Sequence, residues 1–120
     1  MPRRPTPVNV HSKVWLERDG HVALSAWRIA LLEAVGEAGS LAAGAARLGV
    51  PYRTAWYKLR QIEEQLGLRL LDTHSGGPDG GHTALTPAAI DIVHRFHRAS
   101  RGIEAQVRER FEAEFPELTG

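Results

Sequence analysis

Residues 39–67, GSLAAGAARLGVPYRTAWYKLRQIEEQLG, constrain this chain more than any other stretch. Three glycines divide it into two short segments of helical character. Ser40 is placed to cap the first, residues 41–48, which is rich in alanine and leucine. Small side chains let a second helix approach closely. Gly49 supplies the positive φ of a tight turn, Pro51 suits the first turn of the next helix, and Gly67 ends that helix after about Gln65. At about 100° per residue, Ala55, Leu59, Ile62 and Leu66 share one face. Arg53, Tyr57, Arg60 and Glu64 share the opposite face. Tyr52 and Trp56 lie on one flank, Thr54 and Lys58 on the other. A helix anchored on one side, with a cationic and aromatic front, fits the major groove of double-stranded DNA.

The flanking sequence can be weighed against that use. Residues 14–24 alternate apolar and polar positions around Arg18-Asp19-Gly20, the signature of a β-hairpin. Ser25 caps a helix with apolar positions at Trp27, Ile29, Leu31, Leu32 and Val35. Gly36 weakens its last turn and Gly39 stops it. Beyond the second short helix, residues 68–71 read as a strand and residues 83–85 as its return. Four glycines lie among residues 76–81, between the two strands, and mark a loop. The pair forms a wing. Thr86-Pro87 is an N-cap followed by a first-turn proline, so a long helix begins there and runs to about Phe115. Its apolar stripe of Val93, Phe96, Ile103, Val107 and Phe111 is too long for a small domain to bury, which predicts pairing with a second copy.

The expected fold is therefore mainly α with small β: a winged helix-turn-helix with an N-terminal β-hairpin and a long C-terminal dimerisation helix. The division expected is a flexible arm over residues 1–12, the DNA-binding domain over 13–86, and the dimerisation helix and tail over 87–120. The arm carries Arg3 and Arg4 among Pro2, Pro5 and Pro7. The other end is acidic, with Glu104, Glu109, Glu112, Glu114 and Glu117 set against Arg108 and Arg110, which would keep it away from DNA phosphates.

Overall charge is uninformative. Net charge is +1 at neutral pH, so the case for DNA rests on where the cations sit. A chain of 120 residues supports one compact domain. It has no cysteine, which excludes disulfides, thiolate metal sites and a cysteine nucleophile. No apolar run is long enough to span a membrane, and no signal-type segment follows the basic start, so the expected location is the cytoplasm.

Specific contacts follow from side-chain chemistry. Arg53 and Arg60 can take guanine bidentately or hold phosphate, and Tyr57 can donate to phosphate or pack on sugar and thymine methyl. Lys58 suits a phosphate. Tyr52, Thr54 and Trp56 support the reading residues. Ser40, at a helix N-terminus, offers a phosphate site. His82 and Thr83 are placed to touch the DNA backbone from the wing.

The same residues resemble the N-terminal DNA-binding domain of the ModE family of molybdate-responsive repressors. The likeness is carried by VWLERDG (14–20), LLEAVGEAGSLAAGAARLGVPYRTAW (31–56), GGPDGGHTALTP (76–87) and the helix that follows, about residues 13–115 in all. The stretch is also similar to the LysR-type helix-turn-helix, through Leu66-Gly67 and Leu85-Thr86-Pro87. The resemblance implies DNA binding and dimerisation; repression by occluding a promoter is the simplest mechanism expected of so small a chain, with activation the alternative. Two departures stand out. Pro51 occupies a position where the family often has a capping Ser. The family's molybdate-holding domains have no counterpart in these residues, so molybdate sensing is not carried over and the effector is left open.

Other functions compete less well. His94 and His97 lie one helical turn apart, and His74 and His82 flank the glycine-rich loop, which keeps a small metal or ligand sensor as an alternative. A protein-interaction winged helix that pairs with another regulator is the other alternative, favoured by the small net charge. The glycine-rich loop has no lysine beside it and so no phosphate-loop chemistry. No nucleophile pattern suggests an enzyme, and no cofactor is expected.

Overall fold

The computed structural model describes residues 5–74 and 82–119, with only the backbone of His74. The expectations placed on Pro2, Arg3, Arg4 and the glycine-rich loop at residues 76–81 lie outside the described residues. The elements are β1 (Trp15–Arg18), β2 (His21–Ser25), α1 (Ala26–Ala38), α2 (Leu41–Arg47), α3 (Tyr52–Leu66), β3 (Leu71–His74), β4 (His82–Leu85), α4 (Pro87–Glu114) and α5 (Pro116–Thr119). They form two compact units, Val14–Phe96 and Met1–Lys13 with His97–Gly120. Residues 87–96 thus cluster with the winged helix, where a division at residue 86 was expected.

β1 and β2 pair antiparallel, with a register shift between Leu16 and Glu17. Their two-residue turn has positive φ at both Asp19 (52°) and Gly20 (78°), the left-handed pair that matches strand twist in a tight hairpin. Arg18 Nη1 donates to the Gln65 carbonyl at 2.6 Å, tying the hairpin to the end of α3 where helix carbonyls lack partners.

α1 begins at the Ser25 cap, whose Oγ accepts from Arg28 N at 3.2 Å. It ends at Gly39, which is left-handed with φ 77°. α2 starts at once from Ser40, whose Oγ accepts from Ala43 N at 3.1 Å. The α1–α2 approach is very close. A Cβ at Gly44 would lie 2.7 Å from Val35 Cα and 2.8 Å from Val35 N, so hydrogen is the only substituent that fits there. α3 starts from Pro51 as its N-cap residue, in extended conformation and with no side-chain cap bond. Proline therefore sits one position before the helical turn in which it was expected, and the capping oxygen that a Ser would bring is missing.

The core of this unit gathers Leu24, Ile29, Leu31, Leu32, Val35, Leu41, Ala45, Ala55, Leu59, Ile62, Leu70, Ala89 and Val93. Two sequence expectations fail in this core. Trp27, assigned to the apolar face of α1, is 40% exposed, whereas its neighbour Arg28 is buried at 8%. Val93 is 6% exposed and Phe96, partly buried, packs against the same cluster, so the start of the stripe expected for pairing joins the core of the winged helix.

The wing strands pair antiparallel from Leu71↔Leu85 to His74↔His82. The first strand starts three residues later than predicted, because Leu70 is drawn into the core and its N–H donates to Glu63 Oε2 at 2.8 Å. Thr83 N donates to the Gly39 carbonyl at 2.8 Å, which fastens β4 to the α1–α2 turn. Thr86 Oγ1 accepts from Ala89 N at 3.2 Å and caps α4. With 28 residues, α4 is roughly 42 Å long.

In the second unit Val8 N donates to the Leu118 carbonyl at 2.8 Å. Asn9, Val10, His11 and Ser12 line a hollow with Glu104, Val107 and Arg108. Residues 8–12 thus lie along the α4–α5 segment. Ile103, Phe111, Phe115 and Leu118 are 39–46% exposed, and Phe111 and Phe115 stack at 6.2 Å between centroids.

Candidate nucleic-acid interface

α3 is held from behind and open in front. Ala55, Leu59 and Ile62 are at most 2% exposed, and burial of Leu59 and Ile62 contributes about 2 kcal/mol each. Arg53, Tyr57, Arg60 and Glu64 are all exposed, so the front predicted from helical phase is the front in the structure. Tyr52 and Thr54 are exposed as well, while Lys58 is half-buried on the opposite flank.

The front divides in two. Arg53 is free of protein partners among the described residues and lies in the first turn of the helix, where a base contact is made in a major groove. Arg60 is already engaged. Its guanidinium lies 5.3 Å from the Trp56 ring centroid, and its Nη1 donates to Glu63 Oε1 at 3.3 Å. Trp56 in turn meets Tyr57 edge-on, with centroids 5.1 Å apart at 82°. Trp56 is thus the support on which Tyr57 and Arg60 rest.

Tyr52, Trp56, Arg60 and Glu63 form one wall of a cleft of about 350 Å³ between α3 and the wing. Arg69, Leu71 and Thr73 form the other wall. Arg69 is exposed and directs a second cation to the cleft that holds Arg60. The sequence reading missed it, although a basic residue just before the wing strand is visible as Leu68-Arg69-Leu70. Two cations, a threonine hydroxyl and the Tyr52 phenol make a surface suited to sugar-phosphate backbone.

The remaining predicted contacts are distributed unevenly. Ser40 is half-buried at the start of α2. Its oxygen accepts within the helix cap, and its hydroxyl proton remains able to donate. His82 is exposed at the wing and lies beside Gly39, whose added Cβ would be 3.3 Å from His82 Cε1. Thr83 is 7% exposed, with its backbone bonded to Gly39, and it lines the wing cleft together with Thr73. Alternate strand residues face opposite ways, which puts Thr83 on the face of its cross-strand partner Thr73 and His82 on the other. The candidate contact surface spans the front of α3, the wing cleft, and His82 beside the α1–α2 turn.

His94 and His97 are both exposed on α4, and among the described residues no three His, Asp or Glu side chains come together as a metal site. No helix among the described residues is long and apolar enough to cross a membrane.

The order of helices and wing, with that basic front, has a counterpart among known proteins. The family model described as "Bacterial regulatory helix-turn-helix protein, lysR family" matches residues 27–90. The chain belongs to this family. The matched span of the lysR-family domain runs from α1 into the first turn of α4 and so contains every residue of the candidate surface. The molybdenum-pterin-binding protein MopB of Rhodobacter capsulatus is 33% identical over 99 residues, covering 82% of this chain and 36% of that protein. The molybdenum transport protein ModE of Herbaspirillum seropedicae is 38% identical over 64 residues, covering 53% of this chain and 24% of that protein. The ModE resemblance seen in the sequence is matched by these relatives, of whose length the chain spans about a third or less. Among solved structures, the CbnR_DBD–DNA complex superposes with a TM-score of 0.56 at 25% identity, covering 76% of this chain and 98% of that one. Full-length CbnR complexed with its target DNA gives the same score at 26% identity, covering 75% of this chain and 30% of that one.

Proposed function

We propose that this lysR-family chain is a sequence-specific, double-stranded-DNA-binding transcriptional regulator that acts as a homodimer and represses by occluding a promoter. One observation carries the reading: the exposed row of Arg53, Tyr57 and Arg60 on a helix whose opposite face buries Ala55, Leu59 and Ile62, beside a second cation at Arg69 across the wing cleft. The likeness to CbnR in complex with DNA supports it.

In this reading Arg53 and Tyr57 enter the major groove. Arg60 and Arg69 grip the backbone passing through the cleft, with Tyr52, Trp56 and Thr54 in support. Ser40 and Lys58 take phosphates on either side, and His82 touches the backbone from the wing. Dimerisation uses the exposed stripe of Ile103, Phe111, Phe115 and Leu118, with Val107 beside it. Charge along α4 suits antiparallel pairing, because Arg95, Arg98 and Arg101 precede Glu104, Glu109, Glu112 and Glu114. Two recognition helices then face half-sites about 34 Å apart. The same stripe would accept a longer relative in a mixed dimer.

Selection of bound duplexes from random DNA tests the proposal. A roughly palindromic site is expected, with log K falling against log salt by about 0.9 per phosphate held. Unchanged affinity for that site after Arg53→Ala together with Arg60→Ala would remove α3 from the reading role.

A further inference from the structure

Arg28 is a charged side chain in the wrong place for its neighbours. It projects from α1 on the side that carries Ile29, Leu31, Leu32 and Val35, and is only 8% exposed. Its one side-chain bond runs from Nη2 to Gln61 Oε1 at 3.3 Å, a long contact to a neutral amide. Nη1 is buried and has no partner. No carboxylate is paired with Arg28 among the described residues. Burial lowers its pKa below the usual arginine value through desolvation, yet a guanidinium stays charged at any physiological pH. A buried cation without an anion carries a large desolvation penalty, and among the described residues only the Gln61 amide answers it.

Beside it is a cavity of about 390 Å³ between the start of β2, α1 and α3. Arg28 lines this cavity together with His21, Lys58, Gln61 and Glu64. Lys58 has no ion-pair partner among the described residues. Glu64 is the one acidic group on the wall; it is exposed and pairs with neither cation. Two cations against one carboxylate leave the site with an excess positive charge, and His21 adds a further donor. Gln61 is exposed and can swing from its weak bond, which frees the guanidinium fork for a bidentate oxyanion.

We infer that the cavity bounded by Arg28, Lys58 and Gln61 is a binding site for one phosphate-class oxyanion, with the Arg28 fork as its primary ligand and Lys58 as its second cation. Such an anion is either free in solution or a phosphate of the DNA backbone running past the Lys58 flank of α3. The free-anion form stands without the regulatory reading; the DNA form rests on it.

The experiment uses the whole chain and inorganic phosphate, compared with chloride at matched ionic strength. Thermal unfolding of the wild type is expected to show a saturable Tm rise of several degrees with phosphate. Two variants locate it. Arg28→Met removes the charge, and Gln61→Glu supplies a carboxylate to Arg28 from within. Both should abolish the phosphate-dependent rise, and Gln61→Glu should raise the Tm in chloride; it also serves if Arg28→Met fails to fold. Salt dependence of binding to a selected duplex is measured alongside. A backbone phosphate predicts no Tm rise but a slope lowered by about 0.9 in both variants. The inference is overturned if the rise persists in the variants, or if neither the rise nor the slope change occurs. A wild type that responds to phosphate yet binds no DNA would keep this site and sink the regulatory proposal.

Discussion

The guanidinium of Arg60 rests over the indole of Trp56, 5.3 Å from the ring centroid, while Glu63 holds its Nη1. One cation of the recognition helix is therefore positioned before any DNA arrives. The Glu63 carboxylate does two jobs, since its other oxygen accepts from Leu70 N at the entry to the wing. Arg60 and the wing are thus set by one half-buried side chain.

A double-mutant cycle checks this support role. Trp56→Leu and Arg60→Met should each weaken DNA binding, by about three- to tenfold for the tryptophan. Their effects should be non-additive by about 0.5–1 kcal/mol, the range of an exposed cation–π pair. Additive losses would mean that Trp56 meets the DNA independently.

Gly44→Ala sets helix propensity against packing. In an open helix the change stabilises by up to about 1 kcal/mol. Here the new methyl meets the Val35 backbone at 2.7–2.8 Å, and backbone cannot swing away. Net destabilisation of about 1–3 kcal/mol is expected from overpacking, read as a lower denaturant midpoint. A midpoint equal to or above the wild type's would show that α1 and α2 separate easily.

Ser40 can be divided into its two roles. Ser40→Ala should cost about 1 kcal/mol of stability through the lost cap to Ala43 N. Ser40→Asp keeps the cap but places a negative charge where a phosphate is proposed. Stability near wild type with DNA affinity lowered by tenfold or more is the expected pattern for Ser40→Asp. Full affinity in that variant would leave Ser40 as a cap alone.

The long helix should separate by position. Val93→Ala is expected to cost about 2 kcal/mol in unfolding, since Val93 is 6% exposed within its own core. Ile103→Asp, at a 39% exposed position, should leave the monomer's stability within about 0.5 kcal/mol and abolish the dimer in sedimentation. The reverse pattern would relocate the interface.

The places where the sequence misled share a physical cause. Caps were legible because Ser25, Ser40, Gly39 and Gly67 act within a few residues of themselves. The front of α3 was legible because a 3.6-residue period assigns opposite faces without further information. That period does not say what covers an apolar stripe, so Val93 and Phe96 were read as an interface when the wing's own core covers them. It also favours apolar over charged residues at a buried position, so Trp27 was preferred to Arg28 at adjacent places on α1, and the buried cation went unnoticed. Arg69 was missed because its value comes from Arg60, nine residues back in sequence and across a cleft. The settled position of residues 8–12 depends on a bond to Leu118, at the far end of the chain. Interactions of such long separation leave no local pattern.

The hydrogen bond from Thr83 to the Gly39 carbonyl has a further consequence. Gly39 is the last joint before Ser40 opens the helix-turn-helix, so the base of the wing is latched to the origin of the reading module. Spacing between the two DNA-facing parts is then independent of the residues that join β3 to β4. The base of the wing and the helix that carries Arg53 and Tyr57 are therefore set by one backbone bond.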